Sequence, residues 1–585
     1  MPSEHAAPAE GAFVAPYIGS RQMPRWDTGD LIPAPVWTWR KWFALLGPGV
    51  ILGGASIGGG EWLAGPATTA RYGGALMWLA TLSIVGQVFY NLEISRYALY
   101  TGEPIFTGKF RTLPGPHFWV WIYLILDFGS VFPYLAANAA TPLAALILGE
   151  LPNPELNPDH KLMLKVLAYV VFLVAMVPIL VGGKIYQSLK VVMTAKIIFV
   201  LGFLLMVTFC FTRLDTWKEI GLGFLRFGTV PIERGEDLNG NGQLDPGEDW
   251  DGDGRLDAME PWIDSDKDGR FDPRKDQWTD VDGDGIRDGD NVQNIFVSLA
   301  TGQGFPHINF GMIAWLAAFA AIAGSGGLTN SPISNYTRDQ GWGMGYHVGA
   351  IPSAIGGQNI ELSHVGMVFP VTPESLKRWK GWLRHVMRDQ LAVWMPACFL
   401  GIALPSMLSV QFLPRGTIAS DWVAAGMTAG GVQNHVAGVW GAWWGQLFWF
   451  LTILCGLLVL GPTISTTADG VIRRWVDVFW TSSARLREWD PRHIKRLYFA
   501  VFAGYVCFSM VMLAFPAPAN LLKITANFYN WALGVSCWHT LIVNLVLLPR
   551  ELRPGWFMRT GLALGGTFFL GIAFLQTASA LGWFH

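Results

Sequence analysis

Glu61 closes the run Gly53-Gly-Ala-Ser-Ile-Gly-Gly-Gly-Glu-Trp62, inside an apolar segment from Trp42 to Ala70. A spanning helix needs about 20 apolar residues, so this segment is long enough to cross a bilayer. Five of the eight positions from Gly53 to Gly60 are glycine, and each costs about 1 kcal/mol against alanine inside a helix. Backbone left unpaired at membrane depth survives only inside protein or beside a water-filled cavity. The run therefore predicts a broken helix, with a first half to about Gly54, an unwound centre, and a second half from about Glu61. A carboxylate at mid-membrane is costly and a functional candidate by default. The alternative is a Gly-rich face for tight helix packing, with Glu61 near an interface.

A second stretch repeats the pattern. Phe310 to Ala323 is apolar, and Gly324-Ser-Gly-Gly-Leu-Thr-Asn-Ser-Pro332 follows, with a polar run to Arg338. It is the sixth apolar segment, as the first break lies in the first. Interrupted helices at matching positions of two halves imply an inverted-repeat secondary transporter with its site between the breaks. The candidate binding groups are Ser56, Gly58, Gly59, Gly60 and Glu61 from the first break, and Gly324, Ser325, Gly326, Gly327, Thr329 and Asn330 from the second. Three more intramembrane charges are candidates for proton or ion coupling. Glu93 and Arg96 stand three apart on one helix face, where a structural ion pair competes with a gate. Asp127 has no local partner in sequence, so a relay, a coupling-ion contact and a buried paired carboxyl all stay open. Asn527, Asn530 and His539 would line a path or bond between helices.

The elements that must position these groups are membrane helices. The 585-residue chain is 51% hydrophobic and 14% charged, against about 25% charged in a soluble domain. Its 29 Trp suit interfacial belts. The five cysteines show neither a disulfide framework nor zinc spacing. The expected spans after the first are Ala75–Tyr100, Phe118–Leu148, Leu164–Val181, Leu189–Phe211, the interrupted sixth, Leu391–Leu408, Trp440–Thr463, Leu497–Phe515, Leu521–Leu548 and Trp556–Leu581. That makes an all-α polytopic membrane protein of about eleven transmembrane helices, five plus five plus one. The organisation is a 1–40 cytoplasmic tail, expected to be flexible, helices 1–5 in 41–212, an insert in 213–305, helices 6–10 in 306–548 and the last helix in 549–585. Lys and Arg crowd alternate loops, which places the N-terminus inside and the insert and C-terminus outside. No nucleophile–base arrangement or phosphate loop suggests an enzyme, and nothing suggests nucleic acid as a partner.

The insert carries a second kind of chemistry. Asp237, Asn239, Asn241, Gln243, Asp245 and Glu248 stand at the ligand positions of a twelve-residue calcium loop, with Gly242 at its turn. Asp249, Asp251, Asp253, Arg255, Asp257 and Glu260 repeat the spacing at once. Asp264, Asp266, Asp268, Arg270 and Asp272 begin a third loop, and Asp280, Asp282, Asp284, Ile286 and Asp288 a fourth. Lys275 and Asn291 replace the bidentate Glu in these last two, so they should bind Ca²⁺ differently or more weakly. The array resembles thrombospondin type 3 and dockerin repeats, and implies structural Ca²⁺ outside the transport path.

Leu46-Gly-Pro-Gly49, Gly58-Gly-Gly-Glu-Trp62, Leu92-Glu-Ile-Ser-Arg96 with Tyr100-Thr-Gly102, and Gly461-Pro-Thr-Ile-Ser-Thr-Thr-Ala-Asp-Gly470 resemble segments of the Nramp family of divalent-metal transporters. The resemblance implies a LeuT-type fold. It also marks departures. Gly58 stands where that family's metal-ligating Asp would be, Glu61 at the Asn, and Gly324 at the Met. Gly326 and Ser331 fall near its sixth-helix His positions. What remains is one carboxylate, freed backbone carbonyls and hydroxyl or amide oxygens, hard ligands that suit Mg²⁺ or another hard or hydrated cation over Mn²⁺ or Fe²⁺. The alternatives are a small organic solute or anion moved with proton or sodium coupling, and a non-transporting calcium-dependent receptor.

Overall fold

The computed structural model describes residues 13–36, 46–154, 156–232, 243, 262–263, 277–279, 292–302, 305–306, 308–309, 312–356, 360–413, 417, 421–515 and 521–583. The first interrupted span gives α1 (Pro48–Ser56) and α2 (Gly65–Tyr72). It is followed by α3 (Trp78–Thr101), α4 (Ile105–Arg111), α5 (Pro116–Leu126), α6 (Tyr134–Leu148), α7 (Pro158–Leu180), α8 (Ile185–Phe211) and α9 (Leu214–Gly223). After the insert come α10 (Ile295–Thr301), then α11 (Ile313–Ile322) and α12 (Pro332–Asp339) of the second interrupted span, and the short α13 (Gly345–Val348). The rest is α14 (Pro373–Asp389), α15 (Met395–Phe412), α16 (Asp421–Trp440), α17 (Ala442–Ser482), α18 (Ala484–Arg487), α19 (Ile494–Met512), α20 (Leu521–Leu547) and α21 (Trp556–Ala580). Among the described residues eight helices are long and apolar enough to cross a membrane, nine when the bent pair Gly60–Leu76 and Trp78–Thr101 counts as one. The sixth span fails that test because it is interrupted. The protein is an all-α polytopic membrane protein.

The 41-residue α17 is the longest helix and packs against α6, α7, α8, α16 and α19. Small residues let helices approach it. A Cβ on Gly456 would lie 2.6 Å from the Trp62 indole nitrogen. Helix α1 starts with Gly47-Pro-Gly49, and its first backbone donors have no intrahelical partner. Asp389, at the end of α14, takes both: Gly47 N–H donates to Oδ1 at 2.9 Å and Gly49 N–H to Oδ2 at 2.6 Å. A Cβ on Gly49 would sit 2.7 Å from that carboxylate.

The structure corrects two sequence expectations. Residues 13–36 are not a loose tail. Asp27–Thr28 (β1) pairs in parallel with Met367–Val368 (β6), and Met23, Trp26 and Leu31 are buried. Ala15 is buried too, and Ile18 and Ile32 pack against the core, so apolar side chains along the stretch seat it. The stretch between the seventh and eighth spans also holds α16, whose Gly- and Ala-rich run carries no apolar stripe to mark it as a helix. Within the insert, Thr229–Pro231 (β2) pairs with Val292–Asn294 (β5) and Trp262–Ile263 (β3) with Gln277–Trp278 (β4), both antiparallel. The four calcium loops lie outside the described residues except for Gln243.

Candidate functional site

The first helix breaks at Ile57, whose ψ of 84° turns its carbonyl out of the helical ladder. Residues Gly60–Ala64 form a π turn that runs directly into α2 at Gly65-Pro66. The second break is sharper. Ala323 is extended, Gly324 has φ +92° and Gly327 φ +64°, conformations that favour glycine. A 3₁₀ turn over Gly327–Asn330 leads into Pro332 and α12.

The two breaks meet at Glu61, which is 1% exposed. Gly58 N–H donates to its Oε2 at 2.9 Å, and Gly324 N–H donates to Oε1 at 3.0 Å. Each carboxylate oxygen thus takes one backbone donor, one from each break. The Ser56 and Ser325 hydroxyls bond each other at 2.5 Å. Helix α3 holds the second break from behind. The Ser83 hydroxyl shares its one hydrogen between the carbonyls of Ala320 (2.7 Å) and Ala323 (2.9 Å). The Gln87 amide donates to Ala323 O at 2.9 Å, and its oxygen accepts from Ser325 N and Asn330 Nδ2, each at 2.8 Å.

These contacts narrow one expectation. The glycine runs predict carbonyls left free for a passenger, and at four positions, Ile57, Ala323, Gly326 and Leu328, the carbonyl is instead held within the chain. Lys196 holds Ile57 O, Ser83 and Gln87 hold Ala323 O, the Thr329 hydroxyl holds Gly326 O, and Arg474 holds Leu328 O. The reason is general: a buried backbone polar group left unpaired is expensive, and deeper in a membrane more so.

A cavity of about 60 Å³ lies between the breaks, room for a few water molecules. Ser56, Gly58, Gly59, Gly60 and Glu61 line it from one side, Gly324, Ser325, Gly326 and Thr329 from the other. Gly327 and Asn330 do not. Both are buried, with Asn330 turned toward Gln87. The remaining polar wall is Tyr134, Thr463, Thr466, Thr467, Arg474 and Tyr529. The lining contains one carboxylate, several hydroxyls, and neither imidazole nor sulfur. No cluster of three or more His, Cys, Asp or Glu fit to hold a metal occurs among the described residues.

The coupling candidates lie apart from Glu61. Arg96 Nε donates to Glu93 Oε2 at 2.9 Å, and Asn544 Nδ2 donates to the same oxygen at 2.8 Å. Neither Glu93 nor Arg96 lines the cavity. Asp127 has the partner that its own neighbourhood in sequence lacks: Arg474 on α17 bonds it through Nη2 (2.5 Å) and Nε (3.2 Å), and Trp475 donates to it at 2.9 Å. Through Arg474 it reaches the cavity wall. Asn527 bonds Thr577, Asn530 bonds Ala317 O, and His539 bonds Thr112 and Tyr123, all between helices. Sequence reasoning missed Lys196, Gln87, Ser83, Arg474 and Asp389. Lys196 carried the plainest signal, a cation deep inside the apolar run Leu189–Phe211, whose other lysine, Lys190, stands at its edge.

No family model matches the chain. An uncharacterized protein of Pasteurella multocida is 30% identical over 118 residues, 20% of this chain; the match spans about a quarter, 26%, of that protein's length. Among solved structures, a mutant of the manganese transporter of Eremococcus coleocola superposes with TM-score 0.51 at 10% identity, covering 95% of this chain and 91% of that one. The same transporter in complex with an aromatic bis-isothiourea substituted compound gives 0.52 at 11% identity, with coverages of 94% and 89%. The chain therefore has the fold of these transporters, with both interrupted helices at its centre.

Proposed function

We propose that this protein is a secondary transporter that moves a cation across the membrane by alternating access, with the passenger bound between the two breaks. The observation that carries this reading is Glu61. Its carboxylate bridges backbone donors from both interrupted helices beside a cavity walled by hydroxyls. A carboxylate has about four acceptor positions, so two remain for a passenger. Hydroxyl and carboxylate oxygens are hard ligands, and the lining offers no thioether, thiolate or imidazole, which favours Mg²⁺ or a hydrated divalent ion over Mn²⁺ or Fe²⁺. The solved neighbours are manganese transporters by name, which supports cation transport and leaves the ion to the lining. Because Glu61 and the Ser56–Ser325 pair tie the breaks together, a passenger that replaces those contacts would free the half-helices to move. The test is ion uptake into proteoliposomes over a panel of Mg²⁺, Ca²⁺, Mn²⁺ and Na⁺. Uptake of Mg²⁺ that Glu61→Gln abolishes is the expected result, and uptake unchanged by that substitution would overturn the assignment.

A second reading has its own support. The N–H groups of Gly58 and Gly324 both point at a carboxylate, and Arg474 lines the same cavity. A small organic acid could take the place of the Glu61 carboxylate at those donors, with Glu61 carrying the coupling proton. Thermal-shift screening with organic acids and amines separates the two readings. In either, the expected setting is the cell's inner membrane with residues 1–40 inside. The calcium loops then face outside as structural Ca²⁺ sites, and transport should survive deletion of residues 237–290.

A further inference from the structure

Lys109, on the short helix α4 between the second and third spans, is fully buried. Among the described residues no carboxylate pairs with it, although Arg111, two positions on, has Glu103. Its Nζ meets the Ser536 hydroxyl on α20, the Tyr90 hydroxyl on α3 at 3.4 Å, and the ring faces of Tyr123 and Tyr90 at 5.2 and 5.6 Å. The Tyr90 and Ser536 hydroxyls bond each other at 2.5 Å. His539 closes the cage as a neutral ring. The Thr112 hydroxyl spends its hydrogen on Lys109 O at 2.7 Å, so His539 Nε2 carries the hydrogen of its 2.8 Å bond to Thr112, and Nδ1 accepts from Tyr123 OH at 2.8 Å. The other titratable groups that face Lys109 are the Cys537 thiol on α20 and Arg474 on α17, and Arg474 already has Asp127. On α3, Tyr97 packs against α4 and donates to Glu103. An ammonium here would therefore lie out of water without a counter-charge, which is costly, and two ring faces return only a small part of that cost.

We propose that Lys109 is a reversible proton site, a neutral amine while the cage is closed and an ammonium when α4 parts from α20. The same atoms serve both states. A neutral amine has a lone pair, and a hydroxyl of the Tyr90–Ser536 pair can turn its hydrogen toward it; an ammonium has three donors and no acceptor. Taking up a proton thus reverses one hydrogen bond and leaves a charge that only an opened cage can solvate. Burial pushes the Lys109 side chain down from 10.5 to about 7. The proposal rests on this cage and does not depend on what the carrier transports.

The test is thermal unfolding of purified full-length wild type and Lys109→Met from about pH 5.5 to about pH 9.5. A group whose folded value lies below its unfolded one contributes stability that is present above the unfolded value and lost as pH falls through the folded one. Wild type should therefore gain a few degrees on Lys109→Met as pH rises from about 7, with the difference level below about pH 6.5. A difference that stays level over the whole range would overturn the proposal, because Lys109 would then be a permanent ammonium serving as an anchor. Lys109→Arg, which keeps its charge, should melt lower than Lys109→Met at about pH 9 and lose hydrogen-exchange protection in α4. Lys109→Arg that matches wild type in both readings would also overturn it. Failure of Lys109→Met to fold at about pH 9, where one uncharged chain replaces another, counts equally against it.

Discussion

Glu61 holds one backbone donor on each carboxylate oxygen, and that symmetry decides what a substitution does. In Glu61→Gln the amide keeps one acceptor, and its NH₂ faces either the Gly58 or the Gly324 N–H. One buried donor is left unmet, at about 1–3 kcal/mol. The variant should therefore melt lower than wild type while losing cation uptake, and an unchanged melting temperature would show that the bridge between the breaks is not made. The glycines around it are not equivalent. Gly324 has φ +92°, and a Cβ there would lie 3.1 Å from the Gln87 amide, whereas a Cβ on Gly59 meets Leu460 at an ordinary 3.5 Å. Gly324→Ala should cost about 1–2 kcal/mol in backbone strain alone, and Gly59→Ala should be close to neutral; equal losses in denaturation would sink this distinction. Glu61 and both glycine runs were legible in the sequence because a charge and several helix breakers stood together in apolar surroundings. Gln87 and Ser83 were not, since an isolated polar residue in α3 looks the same whether it faces a neighbour or a broken helix.

At the scale of elements, the interrupted helices keep their shape because unbroken ones supply what they lack. Helix α3 gives Ser83 and Gln87 to the second break, α8 gives Lys196 to the first, α14 gives Asp389 to the start of α1, and α17 gives Arg474 to Leu328. The period and length of the apolar runs made most of these helices readable. Which of them meet was not, because Asp127 and Arg474 lie 347 positions apart. Their pair tests the arrangement. Asp127→Asn leaves the Arg474 guanidinium buried at the cavity wall without its counter-charge. Breaking a buried pair from one side costs about 3–5 kcal/mol, while replacing both partners with apolar groups is often near neutral. Asp127→Asn should lower the melting temperature sharply, and Asp127→Leu with Arg474→Met should recover much of the loss. A double variant as unstable as the single one would mean that the charge pair is not the joint between α17 and the third span.

Across the whole molecule, buried charge pairs join segments far apart in the chain, alongside the apolar core. Arg473 bonds Asp339 at 2.5 Å and Asp469 at 2.7 Å, and Arg338 bonds Asp477 at 2.7 Å, so α12 is tied to α17 through buried pairs. The N-terminal segment is held through Glu103, just beyond α3. Its carboxylate accepts from Trp26 Nε1 (3.0 Å), Tyr97 OH (2.9 Å), Gly366 N (3.0 Å) and two nitrogens of Arg111, which also stacks on Trp26. Residues 1–40 look like a tail in the sequence because no periodicity marks the way residues 13–36 dock, through scattered buried side chains and a short strand. Burial alone would raise the Glu103 carboxyl, but the Arg111 guanidinium and the hydrogen bonds around it hold it below its ordinary value of 4.5. A carboxyl whose folded value is depressed contributes stability above its unfolded value and loses it as pH falls through the folded one. Glu103→Gln should therefore be much less stable than wild type at about pH 6, by roughly 3–5 kcal/mol, and the gap should narrow as both are acidified below pH 4.5. Melting curves of the two proteins over that range, read beside protease cleavage within residues 13–36, check both halves of the argument. The variant should be cut in that segment at neutral pH where wild type resists, and a gap that stays constant with pH would mean that Glu103 does not carry its charge in the fold.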